Sequence, residues 1–130
     1  MFETTRLVAL PVGTAPDGTD VRTLLQLKGG SLAHFALAPG MTSLAVAHRT
    51  VEEIWYFLGG TGEMWRRSGE QELIVPVEAG VCLTIPLGTS FQFRSFGCEP
   101  LTMVVITMPS WPGPDEACAV KGTWDPTVGR

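Results

Sequence analysis

Charge is sparse in this sequence, and positive charge most of all. Nine Lys and Arg stand against thirteen Asp and Glu, a formal net charge of −4, which leaves no basic footprint for a phosphate backbone or an anionic lipid surface. Nucleic acid and membrane are therefore not expected partners. Long apolar runs are missing too: no eighteen apolar residues follow one another, and Met1 leads into Phe2, Glu3, Thr4, Thr5 and Arg6 with no apolar stretch behind them. Neither a membrane span nor an export signal is expected, so the protein should be soluble and cytoplasmic. Cysteine is scarce. Cys82, Cys98 and Cys118 are odd in number and lack close paired spacing, which argues against a disulfide framework and against a zinc ribbon. They are expected to be reduced, with Cys82 a buried small hydrophobe inside an apolar run. Histidine is rarer still, with only His34 and His48. No long segment keeps a helical period, and neither an internal repeat nor a low-complexity stretch is evident.

What remains is a β pattern. A chain of 130 residues with 45% hydrophobic content can fill one core, so residues 1–130 are expected to form a single domain. Fifteen glycines and ten prolines are spread along the chain, as turn residues between short strands are. Strands are predicted at 21–27, 31–38, 43–48, 53–58, 63–67, 72–77, 81–85, 91–95 and 101–108, separated by turns such as Pro39-Gly40, Gly59-Gly60-Thr61-Gly62 and Pro86-Leu87-Gly88. This spacing predicts a sandwich or barrel over about residues 20–108. After Pro109 the pattern stops, and the tail of residues 109–130 is expected to be irregular chain pinned to the barrel, or to a partner subunit, by Trp111 and Trp124.

Two linked segments carry a resemblance. The first runs from Gly40 through Val46, His48, Glu52 and Glu53 to Gly59 and Gly60; the second runs from Gly80 through Pro86, Gly88 and Phe91 to Ser95. Their glycine framework and separation resemble the two motifs of the cupin superfamily. The resemblance implies an all-β double-stranded β-helix, or jelly-roll barrel, with a metal held inside by three histidines and a glutamate. In this chain the second histidine and the glutamate are retained as His48 and Glu53, whereas Val46 and Phe91 occupy the other two histidine positions and Ser95 stands where asparagine is common. By analogy with such proteins, a homodimer is expected.

Strand alternation supports the same map. Leu44, Val46 and His48 share one face, Glu53, Trp55 and Phe57 another, and Phe91 and Phe93 a third. If all three point inward, His48 and Glu53 meet in a pocket lined by Val46, Trp55, Phe57, Phe91 and Phe93. A carboxyl beside an imidazole among aromatic rings can titrate within reach of neutral pH and move protons. The leading expectation is thus a small-molecule enzyme of isomerase, epimerase, lyase or cyclase type with His48 and Glu53 as acid and base.

Two other readings stay open. A divalent transition metal, iron, manganese, zinc or nickel, needs about three protein ligands, and His34 would have to join His48 and Glu53 to supply them. That requires His34 to face inward, although the Ala33, Phe35 and Leu37 side of its strand looks more core-like than the side carrying Leu32, His34 and Ala36. The barrel could instead bind an apolar or aromatic ligand without catalysis. The bland alternative for the pair is that His48 and Glu53 satisfy each other, or Arg49 and Glu52, near a barrel mouth. Gln92 and Arg94 should face away from Phe91 and Phe93, toward solvent or a subunit contact. Arg66 or Arg67 could turn inward to hold an anion, and Trp65 could join Trp55 in stacking on a flat ligand, though a solvated strand end and a core residue are the ordinary roles.

Overall fold

Alternation of buried and exposed side chains is what closes the barrel. The computed structural model describes residues 2–8 and 13–128, so the last two residues of the expected tail lie outside the described residues. Among the described residues eleven strands run as β1 (Gly13–Thr14), β2 (Asp20–Leu27), β3 (Gly30–Leu37), β4 (Val46–His48), β5 (Glu52–Gly59), β6 (Thr61–Ser68), β7 (Gln71–Glu78), β8 (Cys82–Ile85), β9 (Ser90–Phe96), β10 (Leu101–Met108) and β11 (Ala117–Ala119). They form two antiparallel sheets, one ordered β1-β2-β3-β10-β5-β8 and the other β11-β4-β9-β6-β7. On β5 the residues Glu53, Trp55 and Phe57 are buried while Glu52, Ile54, Tyr56 and Leu58 are exposed. On β10 the inward set is Leu101, Met103, Val105 and Thr107. The β5–β10 register sets Glu53 opposite Thr107 and Trp55 opposite Val105, so the two inward rows meet. Pro76 sits on β7, an edge strand, where its missing N–H removes no internal ladder bond. Among the described residues no helix is long and apolar enough to cross a membrane.

All nine predicted strands are present, but two of the surrounding expectations change. Residues 43–45 leave the ladder because their main chain is used elsewhere: Ser43 N–H donates to the Phe93 carbonyl at 2.8 Å and Leu44 N–H to the Asp17 carbonyl at 2.8 Å. Cys82 is exposed rather than buried, because Leu83 and Ile85 take the inward positions of β8 and the period of two puts Cys82 on the outer face with Tyr56, its cross-strand partner.

The tail is largely irregular but not idle. After a 3-10 turn at Pro114–Glu116 it adds β11 alongside β4. It then crosses the outer face of β9, and this corrects the expectation for Gln92. Gln92 does point away from Phe91 and Phe93, yet it is fully buried. Its amide nitrogen donates to the carbonyls of Ser43 and Trp124 at 2.9 and 2.8 Å, and its oxygen accepts from the N–H groups of Thr123 and Trp124, both at 3.0 Å. Trp124 lies 4.2 Å from the Arg94 guanidinium, which also pairs with Glu63 at 2.6 Å. The end of the tail packs on the β1–β2 turn. Gly18, at φ +93°, leaves only 2.2 Å between an added Cβ and the Val128 side chain, so both its left-handed conformation and its contact call for glycine.

Candidate functional site

A cavity of about 510 Å³ opens between the two sheets, a size suited to a small molecule. Strands β3, β4, β5, β9 and β10 supply Ala33, Phe35, Val46, His48, Glu53, Trp55, Phe91 and Thr107. The β1–β2 turn adds Asp17, and the tail adds Trp111, Pro114 and Ala117. The walls are mostly apolar, with a few polar groups converging on them.

Glu53 is strongly perturbed by its surroundings. It is 4% exposed, and its carboxyl accepts from Trp55 Nε1 at 3.1 Å and from Thr107 Oγ1 at 2.6 Å. Burial outweighs those two bonds, and the nearby Asp17 and Glu116 carboxyls push the same way, so its pKa rises to about 7. His48 ends β4 with its Nδ1 3.6 Å from Glu53 Oε1, beyond hydrogen-bond reach, and that nitrogen is buried without a partner. The imidazole is wedged edge-on between Phe91 and Trp111, with centroids at 5.3 and 5.4 Å. Burial lowers its pKa, against an opposing pull from the Glu116 charge. Near neutral pH the pair is therefore a neutral imidazole beside a carboxyl poised between its two protonation states.

Of the seven residues expected at the site, five line the cavity together: Val46, His48, Glu53, Trp55 and Phe91. Val46 and Phe91 are directly opposed across β4 and β9, and they occupy with apolar side chains the two places where histidines were looked for. Phe57 and Phe93 correct the expectation. Both are fully buried and point inward, but they stack behind Trp55 at 6.1 and 5.1 Å and do not reach the cavity wall. His34 stands on the side of β3 that looked less core-like. Ala33 and Phe35 oppose the inward Val105 and Met103, so His34, paired with Val104 and Arg22, lies on the outer face of the sheet. It is buried there with Nδ1 unpartnered.

The three-ligand set for a transition metal is thus not assembled from His34, His48 and Glu53, and among the described residues no group of three or more His, Cys, Asp or Glu is placed to hold a metal ion. Neither arginine of β6 turns in. Arg66 donates to the Thr84 carbonyl at 3.0 Å, and Arg67 lies 5.4 Å over Trp65. Trp65 packs outside the cavity and donates to Glu72 at 2.6 Å.

Four residues of the site escaped the sequence reading: Asp17, Thr107, Trp111 and Glu116. Pro16-Asp17-Gly18-Thr19 carries a turn signature, and Asp17 Oδ1 does accept from Thr19 N–H and Oγ1 at 3.1 and 2.6 Å; nothing local says that the turn folds into the barrel mouth. Thr107 was inside a correctly placed strand, and its role follows only from the β5–β10 register. Glu116 gathers the β4–β5 turn, accepting from Thr50 N–H at 2.6 Å, Val51 N–H at 3.2 Å and the Thr50 hydroxyl. Burial alone would raise its pKa, but the bonds from Thr50, Val51 and Arg49 together hold it below the ordinary value.

Fold and site together define a cupin-fold barrel whose cavity holds an imidazole and two carboxyls. No protein-family model and no curated protein matches the sequence, whereas many solved structures match the fold. An uncharacterised conserved protein with a double-stranded β-helix domain from Klebsiella pneumoniae is 16% identical, with 89% of this chain and 92% of that chain covered and a TM-score of 0.69. Streptomyces Pac13 with uridine is 14% identical, covering 92% and 93% of the two chains at a TM-score of 0.69, and Pac13 is described as a nucleoside dehydratase. The cupin domain of Schizosaccharomyces pombe Cnp3 is 10% identical, with 70% and 64% covered and a TM-score of 0.63. The chain has the double-stranded β-helix fold of these proteins, as its two motifs implied.

Proposed function

We propose that this protein is a small-molecule enzyme that moves protons with His48 and Glu53, a lyase or isomerase in reaction class. The observation that carries the reading is the pair itself: two titratable groups 3.6 Å apart in a cavity walled largely by apolar side chains. Polar groups in such a place are costly unless they are used, and Val46 and Phe91 demonstrate that apolar residues fit at neighbouring positions. Pac13, of the same fold, being a nucleoside dehydratase adds weight to elimination of water within this class.

The chemistry follows from atom placement. The His48 ring lines the cavity, with Nδ1 the nitrogen that faces Glu53. With Glu53 ionised, its carboxylate favours the tautomer that keeps the proton on Nδ1, leaving the Nε2 lone pair as the base. A proton taken by Nε2 is returned either to another atom of the substrate, which is isomerisation, or to a departing hydroxyl, which is loss of water. Trp55 and Thr107 fix the Glu53 carboxyl, and Trp111 and Phe91 fix the ring.

The test is a turnover screen on nucleosides and hydroxylated small molecules, followed by pH profiles of the best substrate. The wild-type kcat/KM should rise as the pH passes through about 7, the Glu53 value. His48→Ala and Glu53→Gln should each lower it by about 10²- to 10⁴-fold while the barrel stays folded. Full activity in both variants would remove the pair from the chemistry. One equivalent of a transition metal in purified wild type, lost in His48→Ala, would replace proton transfer by a metal-assisted reading.

A further inference from the structure

Asp17 is a second buried carboxyl at the cavity and has no part in the proton transfer above. It is 4% exposed, and its position is fixed from several sides. Ala15 N–H donates to the Thr19 carbonyl at 2.8 Å, Gly18 N–H to the Ala15 carbonyl at 2.9 Å, and Leu44 N–H to the Asp17 carbonyl at 2.8 Å, while Val128 packs on Gly18. The two bonds from Thr19 both fall on Oδ1. Among the described residues no other side chain donates to Oδ2. Asp17 lines the cavity, so its carboxyl borders the ligand space.

The charge of the cavity is one-sided. Among the described residues no Lys or Arg lines it, and its titratable groups are Asp17, His48 and Glu53. An anionic ligand would enter without a counter-charge and beside two carboxyls, whereas a cation would relieve their mutual repulsion. A carboxylate oxygen hydrogen-bonded to an ammonium is also a stronger contact than one between neutral groups.

We propose that Asp17 is a specificity residue whose Oδ2 accepts a hydrogen bond from a ligand amine, so that the cavity selects a small ring-bearing amine over the matching alcohol and rejects the matching carboxylate. This rests on the cavity being the small-molecule site proposed above. The amine nitrogen sits at the turn side of the cavity, and the ring lies against the aromatic wall at Trp55, Phe91 and Trp111. The hydrogen bonds of the turn and its packing against Val128 hold Asp17 in place ahead of the ligand, which cuts the ordering cost of binding.

The test uses three probes of one shape, cyclohexylamine, cyclohexanol and cyclohexanecarboxylate, titrated into the full chain at pH 7.5 and followed by amide NMR shifts. The amine should bind at least about tenfold more tightly than the carboxylate, with the alcohol between them. Asp17→Asn keeps an oxygen for Thr19 and puts an NH₂ where Oδ2 stood. It should lower amine affinity about tenfold and leave the alcohol within about twofold. Equal binding of amine and carboxylate overturns the proposal, and that comparison needs no variant should Asp17→Asn fold poorly. Amine affinity unchanged in a folded Asp17→Asn protein overturns it as well. Binding of all three probes at the cavity without discrimination removes Asp17 alone, whereas shifts at the cavity from none of them remove the small-molecule site beneath it.

Discussion

Between pH 5 and pH 8 the stability gap between the wild type and Glu53→Gln is expected to move by about 2.5 kcal/mol in favour of the variant. The folded barrel holds the Glu53 carboxyl at about 7 against an ordinary value of 4.5, so in that interval the native state binds a proton that the unfolded chain has already released. Stability from this group is complete below about 4.5 and is lost as the pH rises through about 7; a displacement of that size corresponds to about 3 kcal/mol. His48 and His34 are shifted the other way, mainly by burial, and they favour the fold as the pH rises toward their unfolded value. Asp17 is raised by burial, and its loss of stability begins at lower pH. These groups titrate in both proteins, so they largely cancel in the difference. Glutamine suits the site, because its oxygen can accept from Trp55 Nε1 while its NH₂ donates to the Thr107 hydroxyl, which can act as donor or acceptor. Urea unfolding midpoints of both proteins at four pH values between 5 and 8 check this. A gap that stays constant would mean that Glu53 is ionised throughout and that its burial is relieved by something other than a proton.

That same carboxyl marks how far the sequence could be read. Glu52 and Glu53 are adjacent and chemically identical, yet the period of two decides between them, since Trp55 and Phe57 must go inward and Glu53 goes with them. The structure keeps this division, with Glu52 exposed and Glu53 buried. Alternation also placed His48, Val46 and Phe91 correctly. It could not measure depth, which is why Phe57 and Phe93, on the right faces, turn out to be packed behind Trp55 and not at the cavity wall. Nor could it say which outer faces are covered. Gln92 was read as solvent-facing because polar residues opposite a core face usually are, and only the path of the tail reverses that. The contributions of Asp17, Trp111 and Glu116 were illegible for the same reason. Each lies on irregular chain whose position is set by bonds to residues far along the sequence, such as Thr50 to Glu116. No local pattern encodes contacts of that separation.

The tail is therefore expected to depend on Gln92 more than on either of its tryptophans, and Gln92→Leu should cost the protein about 3 kcal/mol. The wild-type amide serves four main-chain groups at once, the carbonyls of Ser43 and Trp124 and the N–H groups of Thr123 and Trp124. Leucine is similar in size and satisfies none of them, and each buried main-chain group left unpaired costs about 1–3 kcal/mol. The chain has a way out that caps the loss. Residues 119–128 can lift from β9 and let water take those groups, giving up the Trp124 contact with Arg94 and the seat of Val128 on Gly18. The two effects are measured separately, the loss by urea unfolding and the lifting by amide exchange of Thr123 and Trp124, which should quicken well before global unfolding. Because the tail supplies Trp111, Pro114 and Ala117 to the cavity, and Val128 supports the turn that holds Asp17, probe binding should weaken in the same variant. If exchange stays slow and stability stays within about 0.5 kcal/mol of wild type, leucine packing alone suffices to hold the tail, and the hydrogen bonds of Gln92 are dispensable to it.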